Sequence, residues 1–167
     1  MKSAYFAGGC FWCITPTFAM TPGVRKVTSG YSGGMEENPT YEDVKYQRTA
    51  HRETIRIDYN PEKVGFGELL EIFLSSVDPY DDGGQFIDRG HSYTLAVYFR
   101  DEAERLQTLT ALAALEHRSG QKPCVAVEAF QSFWDAEEYH QDYYLKNPEA
   151  FRRELIESGR IKETPNF

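Results

Sequence analysis

The sequence predicts an α+β fold, a ferredoxin-like two-layer sandwich in which helices flank a mostly antiparallel or mixed sheet. Apolar and polar residues alternate from Glu53 to Tyr59 and again from Tyr93 to Phe99, and this alternation is typical of half-buried strands. Segments with apolar residues at helical spacing lie between the alternating ones. Their order of strand, helix, strand, strand, helix and strand contains the split βαβ arrangement of ferredoxin-like folds.

Strands and one uncertain helix are expected in the first part of the chain. Residues 5–7 are expected to form a short strand, ended by the glycine pair that precedes Cys10. A helix follows, and Pro16 leaves its start open: the helix either begins near Cys10 and kinks, or begins with Pro16 at its first position. The next expected strand covers residues 24–29. The long connection after it, residues 30–50, is of a kind that is usually functional or disordered.

Capping signals and glycines mark the elements of the second part. Residues 66–74 have helical spacing, and a long loop of residues 78–92 precedes the strand that begins at Tyr93. Asp101 with Glu104 is an acidic variant of the capping box and opens a helix that should end by Gly120. The remaining expected elements are a strand at residues 125–129, a helix from Asp135 to Lys146 opened by a second capping pattern, and a final helix at residues 148–158.

Length and charge limit the classes of function. The chain has 167 residues, which indicates one domain spanning residues 1–167. It carries 18 Lys plus Arg against 26 Asp plus Glu, and the net charge of -8 argues against binding to nucleic acid or to anionic membranes. No segment approaches the ~20 consecutive apolar residues of a membrane span, and the N-terminus lacks the apolar stretch of a signal peptide. We therefore expect a cytoplasmic protein, and we expect it to be a monomer.

The strongest chemical signal in the chain is the motif Gly-Gly-Cys-Phe-Trp-Cys at residues 8–13. Its place after a strand and near a helix start aims backbone N–H groups and the helix dipole at the sulfur of Cys10, which favours the thiolate. A thiol with the ordinary pKa of about 8.5 is only ~3% ionised at pH 7, whereas a pKa of about 7 would ionise half of it. The two-residue spacing to Cys13 lets the pair pass between dithiol and disulfide.

Other roles for the thiols compete with this one. A zinc half-site would need two further ligands, and the four histidines show no paired spacing that supplies them, so we expect no metal. The third cysteine, Cys124, leads into a β-branched strand and is expected to be a buried, inert thiol. A thioredoxin-like exchange motif also places its cysteine pair after a strand at a helix N-terminus, and it stays open as an alternative.

Further motifs follow the cysteine motif in a fixed order. They are Gly-Tyr-Ser-Gly-Gly at residues 30–34, Asn-Pro-Thr-Tyr at 38–41, His-Arg-Glu at 51–53, Asp-Arg-Gly-His-Ser-Tyr at 88–93 and Phe-Trp-Asp-Ala-Glu-Glu-Tyr-His-Gln at 133–141. Together with Gly-Cys-Phe-Trp they resemble the methionine sulfoxide reductase A family, the peptide-methionine (S)-S-oxide reductases. Any one motif alone is weak, but the set covers nearly the whole chain.

The resemblance implies a chemical role for each of several residues. Cys10 attacks the sulfoxide sulfur and becomes a sulfenic acid while methionine departs. Glu53, whose pKa is raised beside aromatic surfaces, supplies a proton. The other implied roles belong to Tyr41 and Tyr93 as hydroxyl donors to the sulfoxide oxygen, Phe11 and Trp12 as the apolar pocket for the methyl group, and Asp88 as a hydrogen-bonding residue on the polar side of the site.

The chain departs from the family pattern with Cys13 where Gly is common, Thr15 where Glu is common, Arg89 where His is common and Ala50 where Gly is common. Many family members carry resolving cysteines in a Gly-rich C-terminal tail, whereas residues 158–167 contain none. The resolving thiol is then Cys13, Cys124 or an external one. The short spacing favours Cys13.

The resemblance implies an enzyme that reduces the S epimer of methionine sulfoxide, free or in oxidised proteins and peptides. It implies no bound cofactor, and thioredoxin or another dithiol as the external reductant. Two alternatives stay open from the residues themselves. A general thiol-disulfide oxidoreductase would use Cys10 and Cys13 but leave Glu53 and the two tyrosines without a role. A non-catalytic module that binds oxidised methionine in an aromatic pocket would make the thiols incidental.

Overall fold

The computed structural model describes residues 1–160, in which strands and helices alternate along the chain. The strands are β1 (Lys2–Gly8), β2 (Val24–Ser32), β3 (Arg52–Tyr59), β4 (Gly84–Gln85), β5 (Asp88–Arg89), β6 (Leu95–Phe99), β7 (Val125–Ala129) and β8 (Phe133–Asp135). The helices are α1 (Phe11–Ala19), α2 (Tyr41–Lys45), α3 (Phe66–Ser76), α4 (Glu102–Ser119), α5 (Tyr143–Lys146) and α6 (Pro148–Glu157). Two short 3-10 helices cover His91–Tyr93 and Glu138–His140.

A six-stranded sheet in the order β7-β6-β1-β3-β2-β8 organises the molecule. Its neighbours pair antiparallel except β6 and β7, which are parallel, so the sheet is mixed. Strands β4 and β5 form a separate two-stranded hairpin. The expected α+β class with a mixed sheet and flanking helices is confirmed. No helix within residues 1–160 is long and apolar enough to cross a membrane.

Strand β1 is central and is buried on both faces. Ala4 and Phe6 join the core beneath the helices, where the ring of Phe6 stacks on Phe73 of α3 at 4.9 Å between centroids. On the opposite face, the ring of Tyr5 stacks on Phe130 at 4.1 Å. At the end of the strand, a Cβ on Gly8 would meet the Cδ1 atom of Ile14 at 2.9 Å, so glycine lets α1 pack closely onto the sheet. The strand therefore delivers the next residues, including Cys10, to a fixed position.

Several boundaries follow the local signals of the sequence. Asp101 caps α4 by accepting a hydrogen bond from the backbone N–H of Glu104 at 2.8 Å, and the helix ends at Gly120, whose φ of 71° is left-handed. The open question about α1 has one answer: Cys10 is its N-cap residue, and Pro16 lies inside the helix.

The expected helix from Asp135 to Lys146 is wrong. This segment instead contains the end of β8, a 3-10 helix and the short helix α5. Asp135 pairs with Gly30 of β2, and the side-chain amide of Gln141 exchanges two hydrogen bonds of 2.9 Å with the backbone of Ser29. These long-range bonds compete successfully with a local helix, because they complete the edge of the sheet.

The two long connections contain more structure than the sequence predicts. Strand β2 continues to Ser32, and α2 lies within the expected loop of residues 30–50. Tyr93, expected at the start of a strand, lies instead in the 3-10 helix before β6.

The expected final helix is confirmed as α6, whereas residues 161–167 of the tail lie outside the described residues.

Candidate active site

Cys10 lies at the turn between β1 and α1. The preceding residue, Gly9, has a φ of 83°, and a Cβ there would meet the Cβ of Gln85 at 2.7 Å, so the turn requires glycine. Cys10 is 7% exposed and is the N-cap residue of α1, and its carbonyl accepts the backbone N–H of Cys13 at 3.1 Å. The helix turn thus brings Cys13 back over Cys10.

The two thiols of the motif lie together. The Sγ atoms of Cys10 and Cys13 and a carboxylate oxygen of Glu154 lie within 4.8 Å of one another. This trio is the one group of three potential metal ligands found within residues 1–160, and no histidine belongs to it. The helix turn and α6 together therefore place a carboxylate beside a dithiol.

The expected lowering of the Cys10 pKa is wrong. The hydrogen bond with Cys13 and burial, and to a smaller degree the nearby acidic groups, raise the pKa of the Cys10 thiol well above its ordinary value. The first backbone N–H of α1, that of Phe11, donates to the carboxylate of Glu53 instead of the sulfur. The helix N-terminus thus donates to the carboxyl group of Glu53 and not to the sulfur, and the raised pKa keeps the proton on Cys10.

Glu53 lies on β3 beside the strand that leads to Cys10, and its side chain is only 1% exposed. Its Oε1 atom accepts the N–H of Phe11 at 3.1 Å. Burial raises the pKa of Glu53 well above its ordinary value against the opposing effect of this hydrogen bond, and Asp88 raises it further. The arrangement favours a protonated carboxyl group close to the sulfur of Cys10.

An aromatic cluster lines one side of the cysteine turn. The indole of Trp12 stacks on Tyr143 of α5 at 4.0 Å and 13°, and its Nε1 donates to Nδ1 of His140 at 3.0 Å. Burial lowers the pKa of His140 to about 4, so its ring is neutral and accepts this bond. Phe11 has no exposed surface and packs behind, 6.4 Å from Trp12 between ring centroids.

Tyr41 and Tyr93 reach the site from separate segments. The backbone N–H of Tyr41 donates to Glu137 Oε2 at 3.0 Å, while the hydroxyl of Tyr31 donates to Oε1 of the same residue at 2.8 Å. Burial is the main cause that raises the pKa values of Tyr41 and Tyr93. Both phenols therefore stay protonated, and no hydrogen bond of either hydroxyl is found within residues 1–160. They are available as donors.

The segment that carries Tyr93 is tied to the rest of the site. Gln47, which follows α2, donates to the Ser92 hydroxyl at 2.8 Å and accepts the Ser92 N–H at 3.0 Å. Asp88 on β5 lies near enough to raise the pKa values of Cys10 and Glu53, and burial raises its own pKa. The structure thus brings together all the residues that the sequence singles out around Cys10.

Thr15 and Arg89, two of the departures from the family pattern, form hydrogen bonds with neighbouring residues. The hydroxyl of Thr15 is buried and donates to the carbonyl of Phe11 at 2.6 Å, so it turns back onto its own helix. Arg89 points away from the site and forms a bidentate pair with Asp81 at 2.6 and 2.7 Å. Neither side chain supplies a charge to the cysteine pair.

Cys124 is separate from this cluster. It precedes β7, and its sulfur lies 3.6 Å from the carbonyl of Tyr80. Gly8 pairs with Leu95 and Leu95 pairs with Val125, so the strand ends that carry Cys10 and Cys124 are two strand spacings apart. Two spacings are about 10 Å, beyond the roughly 7 Å between Cα atoms that a disulfide spans.

Sequence reasoning missed the carboxylates of Glu137 and Glu154. Glu137 lies within the motif at residues 133–141. The sequence predicts a helix there, whereas Glu137 lies between β8 and a 3-10 helix. Glu154 has no sequence signal, because a glutamate on an amphipathic helix is ordinarily a solvated residue. Only the packing of α6 against α1 brings it to the thiols.

Known proteins resemble this chain over most of its length. The family model described as peptide methionine sulfoxide reductase matches residues 2–165. A Bacillus licheniformis protein named peptide methionine sulfoxide reductase MsrA is 43% identical over 159 residues, which cover 94% of this chain and 88% of that protein.

Solved structures share the fold. Mxr1 from Saccharomyces cerevisiae in reduced form has a TM-score of 0.84 and 28% identity, covering 89% of this chain and 86% of that chain. Methionine sulfoxide reductase A of Corynebacterium diphtheriae has a TM-score of 0.79 and 28% identity, covering 88% of this chain and 75% of that chain. The yeast protein is also known in complex with Trx2, and that structure shares the fold at 18% identity and a TM-score of 0.58 over 83% of each chain.

Proposed function

Because the chain belongs to the peptide methionine sulfoxide reductase family, we propose that it reduces the S epimer of methionine sulfoxide, free or in peptides and proteins, to methionine. The observation that carries the proposal is the buried carboxyl group of Glu53, whose pKa burial raises, beside the thiol of Cys10. A sulfoxide needs a nucleophile at sulfur and a proton at oxygen, and this pair supplies both.

In the first step, oxygen moves from the methionine sulfur to the sulfur of Cys10. Glu53 donates to the sulfoxide oxygen and thereby makes the sulfur more electrophilic. Cys10 attacks that sulfur, and its thiol proton passes to the Glu53 carboxylate left by this donation. The hydroxyl on the methionine sulfur then moves to the Cys10 sulfur as the bond between the two sulfurs breaks, so the products are methionine and the Cys10 sulfenic acid. The raised pKa of Cys10 fits this scheme, because the thiol keeps its proton until Glu53 has given its own proton to the oxygen and can accept another.

Tyr41 and Tyr93 donate hydrogen bonds to the same oxygen as it gains negative charge. Their raised pKa values keep both hydroxyls protonated, and their phenols have no competing partner within residues 1–160. Asp88 completes the polar side of the site and helps to keep Glu53 protonated through its negative charge. The donors therefore act on the transition state more strongly than on the neutral sulfoxide.

The methyl group on the sulfoxide sulfur binds against the indole of Trp12. Stacking on Tyr143 and the hydrogen bond to His140 hold this ring in one orientation. Phe11 has no exposed surface, so it forms the back of the pocket and orients Glu53 through its backbone N–H. A flat, rigid apolar wall accepts the methyl group and excludes water from the reacting sulfur.

In the second step, Cys13 resolves the sulfenic acid by forming a disulfide with Cys10 and releasing water. The proximity of the two Sγ atoms supports this pairing, and the strand spacing argues against Cys124. Thioredoxin then reduces the disulfide by exchange. All electrons come from thiols, so the reaction requires no bound cofactor. The substrates and partners are thus methionine sulfoxide, oxidised proteins and peptides, and thioredoxin.

Finer features complete the proposal. The residues 2–165 matched by the family model support a single catalytic domain over residues 1–167. The contiguous antiparallel strands β6-β1-β3-β2 support a ferredoxin-like arrangement at the centre of the sheet. We propose in addition that the protein acts as a monomer in the cytoplasm.

One assay separates this function from general disulfide exchange. Reduced protein is incubated with racemic methionine sulfoxide and dithiothreitol, and the remaining substrate is resolved on a chiral column. We expect consumption to stop when the S epimer, half of the total, is gone. Rapid reduction of insulin disulfides with no methionine formed would instead support a thiol-disulfide oxidoreductase, and binding without conversion would support a non-catalytic module.

A further inference from the structure

Glu154 has no role in the steps above, although it lies next to the two thiols that react in them. One of its carboxylate oxygens is within 4.8 Å of the Sγ atoms of both Cys10 and Cys13. Its helix, α6, is anchored by Phe151 and Leu155, which are 8% and 7% exposed. Two buried side chains on either side of Glu154 thus fix the position from which its carboxylate faces the dithiol.

The surroundings make this carboxylate a better base than one in water. Burial, then Asp88 and Glu157, raise the pKa of Glu154 against the opposing effects of Lys45 and Arg160. Titratable groups of several other elements face this carboxylate: Cys10 at the start of α1, Cys13 of α1, Tyr41 and Lys45 of α2, Glu53 of β3, Asp88 of β5 and Tyr143 of α5. Arg160, which follows α6, faces it as well. Burial is the largest of these effects and outweighs the two cations, so the carboxylate holds a proton more readily than one in water.

Disulfide formation needs two proton movements. The thiol of Cys13 must lose its proton to become a strong nucleophile, and the oxygen on Cys10 must gain one to leave as water. Helix α1 contains no acidic residue that could act on Cys13, and Thr15 is bonded to the carbonyl of Phe11. Glu53 ends the first step with its proton restored, and burial raises its pKa, so it offers no base to Cys13. Glu154 is the carboxylate placed beside both sulfurs.

We propose that Glu154 is the proton-transfer group of the disulfide-forming step. Its carboxylate accepts the thiol proton of Cys13 as the Cys13 sulfur attacks the Cys10 sulfur. The bond between the Cys10 sulfur and oxygen breaks, and the hydroxide takes the proton from Glu154 and leaves as water. Glu154 ends as a carboxylate, and no other oxidant or reductant enters. This inference rests on the proposed function, in which Cys13 is the resolving thiol.

The effect of losing this base follows from the ionisation of a thiol. Only ~3% of an ordinary thiol is ionised at pH 7, so loss of the base in Glu154→Gln should slow disulfide formation by up to about 30-fold there. Ordinary thiols are mostly ionised at about pH 9.5, so the deficit should shrink to less than about 2-fold at that pH. In the unsubstituted protein, the rate should fall as the pH drops through the pKa of Glu154.

The two steps can be timed in one experiment without external reductant. Reduced protein is mixed rapidly with excess methionine sulfoxide and quenched in acid, and methionine and free thiols are counted at each time by chromatography and by alkylation with mass spectrometry. The variants are Glu154→Gln, Glu154→Asp, which keeps a shorter carboxylate, and Cys13→Ser. The matched control is Glu149→Gln, because Glu149 is an exposed glutamate at the other end of the same helix.

We expect Glu154→Gln to form its single equivalent of methionine within about 2-fold of the normal rate and to form the disulfide slowly at pH 7. Glu154→Asp should fall between, and Glu149→Gln should match the unsubstituted protein. A normal disulfide rate in Glu154→Gln, or a deficit that is equal at all pH values, would overturn the proposal while Cys13→Ser still blocks the disulfide. Disulfide formation in Cys13→Ser would refute the resolving role itself, and the Glu154 proposal with it. Absence of methionine in every protein would refute the proposed function.

Discussion

Glu53→Gln is the sharpest test of the proposed chemistry, because it removes the acidic proton of the side chain and keeps its size and shape. The glutamine carbonyl can still accept the N–H of Phe11, a bond of 3.1 Å in the structure, and its amide can still donate to the sulfoxide oxygen. General acids contribute about 10²- to 10⁴-fold to rates, and Tyr41 and Tyr93 remain as donors. We therefore expect a loss of about 100-fold, or about 2.7 kcal/mol of barrier.

The assay is methionine formation in a single turnover across a range of pH. Because burial raises the pKa of Glu53, its acid form persists towards neutral pH, and the rate should fall as the pH rises through that pKa. The variant should lack this limb of the profile. A carboxyl group whose pKa is raised by folding makes the folded protein less stable as the pH increases. Replacing Glu53 by glutamine removes this effect, so the Tm at pH 8 should be unchanged or raised.

Glu104→Gln is the matched control. Glu104 is likewise a buried carboxyl, 6% exposed, with a pKa raised mainly by burial, and its Oε1 atom accepts the N–H of Arg100 at 2.9 Å. It lies on α4, away from the cysteine turn. We expect normal methionine formation from it. A near-normal rate in Glu53→Gln, or an equal loss in both variants, would refute Glu53 as the proton donor and leave a tyrosine or water in that role.

Four further substitutions test the remaining assignments. Cys10→Ser should abolish methionine formation, since a serine hydroxyl stays protonated at neutral pH, and more than trace activity would place the nucleophile elsewhere. Trp12→Ala should lower kcat/KM by about 10- to 100-fold through loss of the methyl pocket, and an unchanged kcat/KM would exclude that pocket. Cys13→Ser should release about one equivalent of methionine and then stall with thioredoxin, whereas Cys124→Ser should turn over normally. A Cys10–Cys124 bridge in the oxidised protein, detected by mass spectrometry, would contradict this assignment.

Local chemistry in the sequence was enough to predict much of this protein. The alternation in β3, the cap and glycine that bound α4, and the position of Cys10 between a strand and a helix all depend on neighbouring residues, so the sequence alone determines them. The order of motifs likewise identified the family, and with it the residues gathered around Cys10.

Only the tertiary structure decided the features that depend on distant residues. The segment from Asp135 onward has a good helical start but pairs with Gly30, because the edge of the sheet offers bonds that an isolated helix cannot match. Trp12 is oriented by His140, 128 positions away in sequence. The pKa of Cys10 rises instead of falling because the Cys13 thiol forms a hydrogen bond with it, because the folded chain buries it and because acidic groups lie nearby. Glu154 reaches the dithiol only through the packing of α6, since charge, burial and proximity are properties of the folded chain and not of its local sequence.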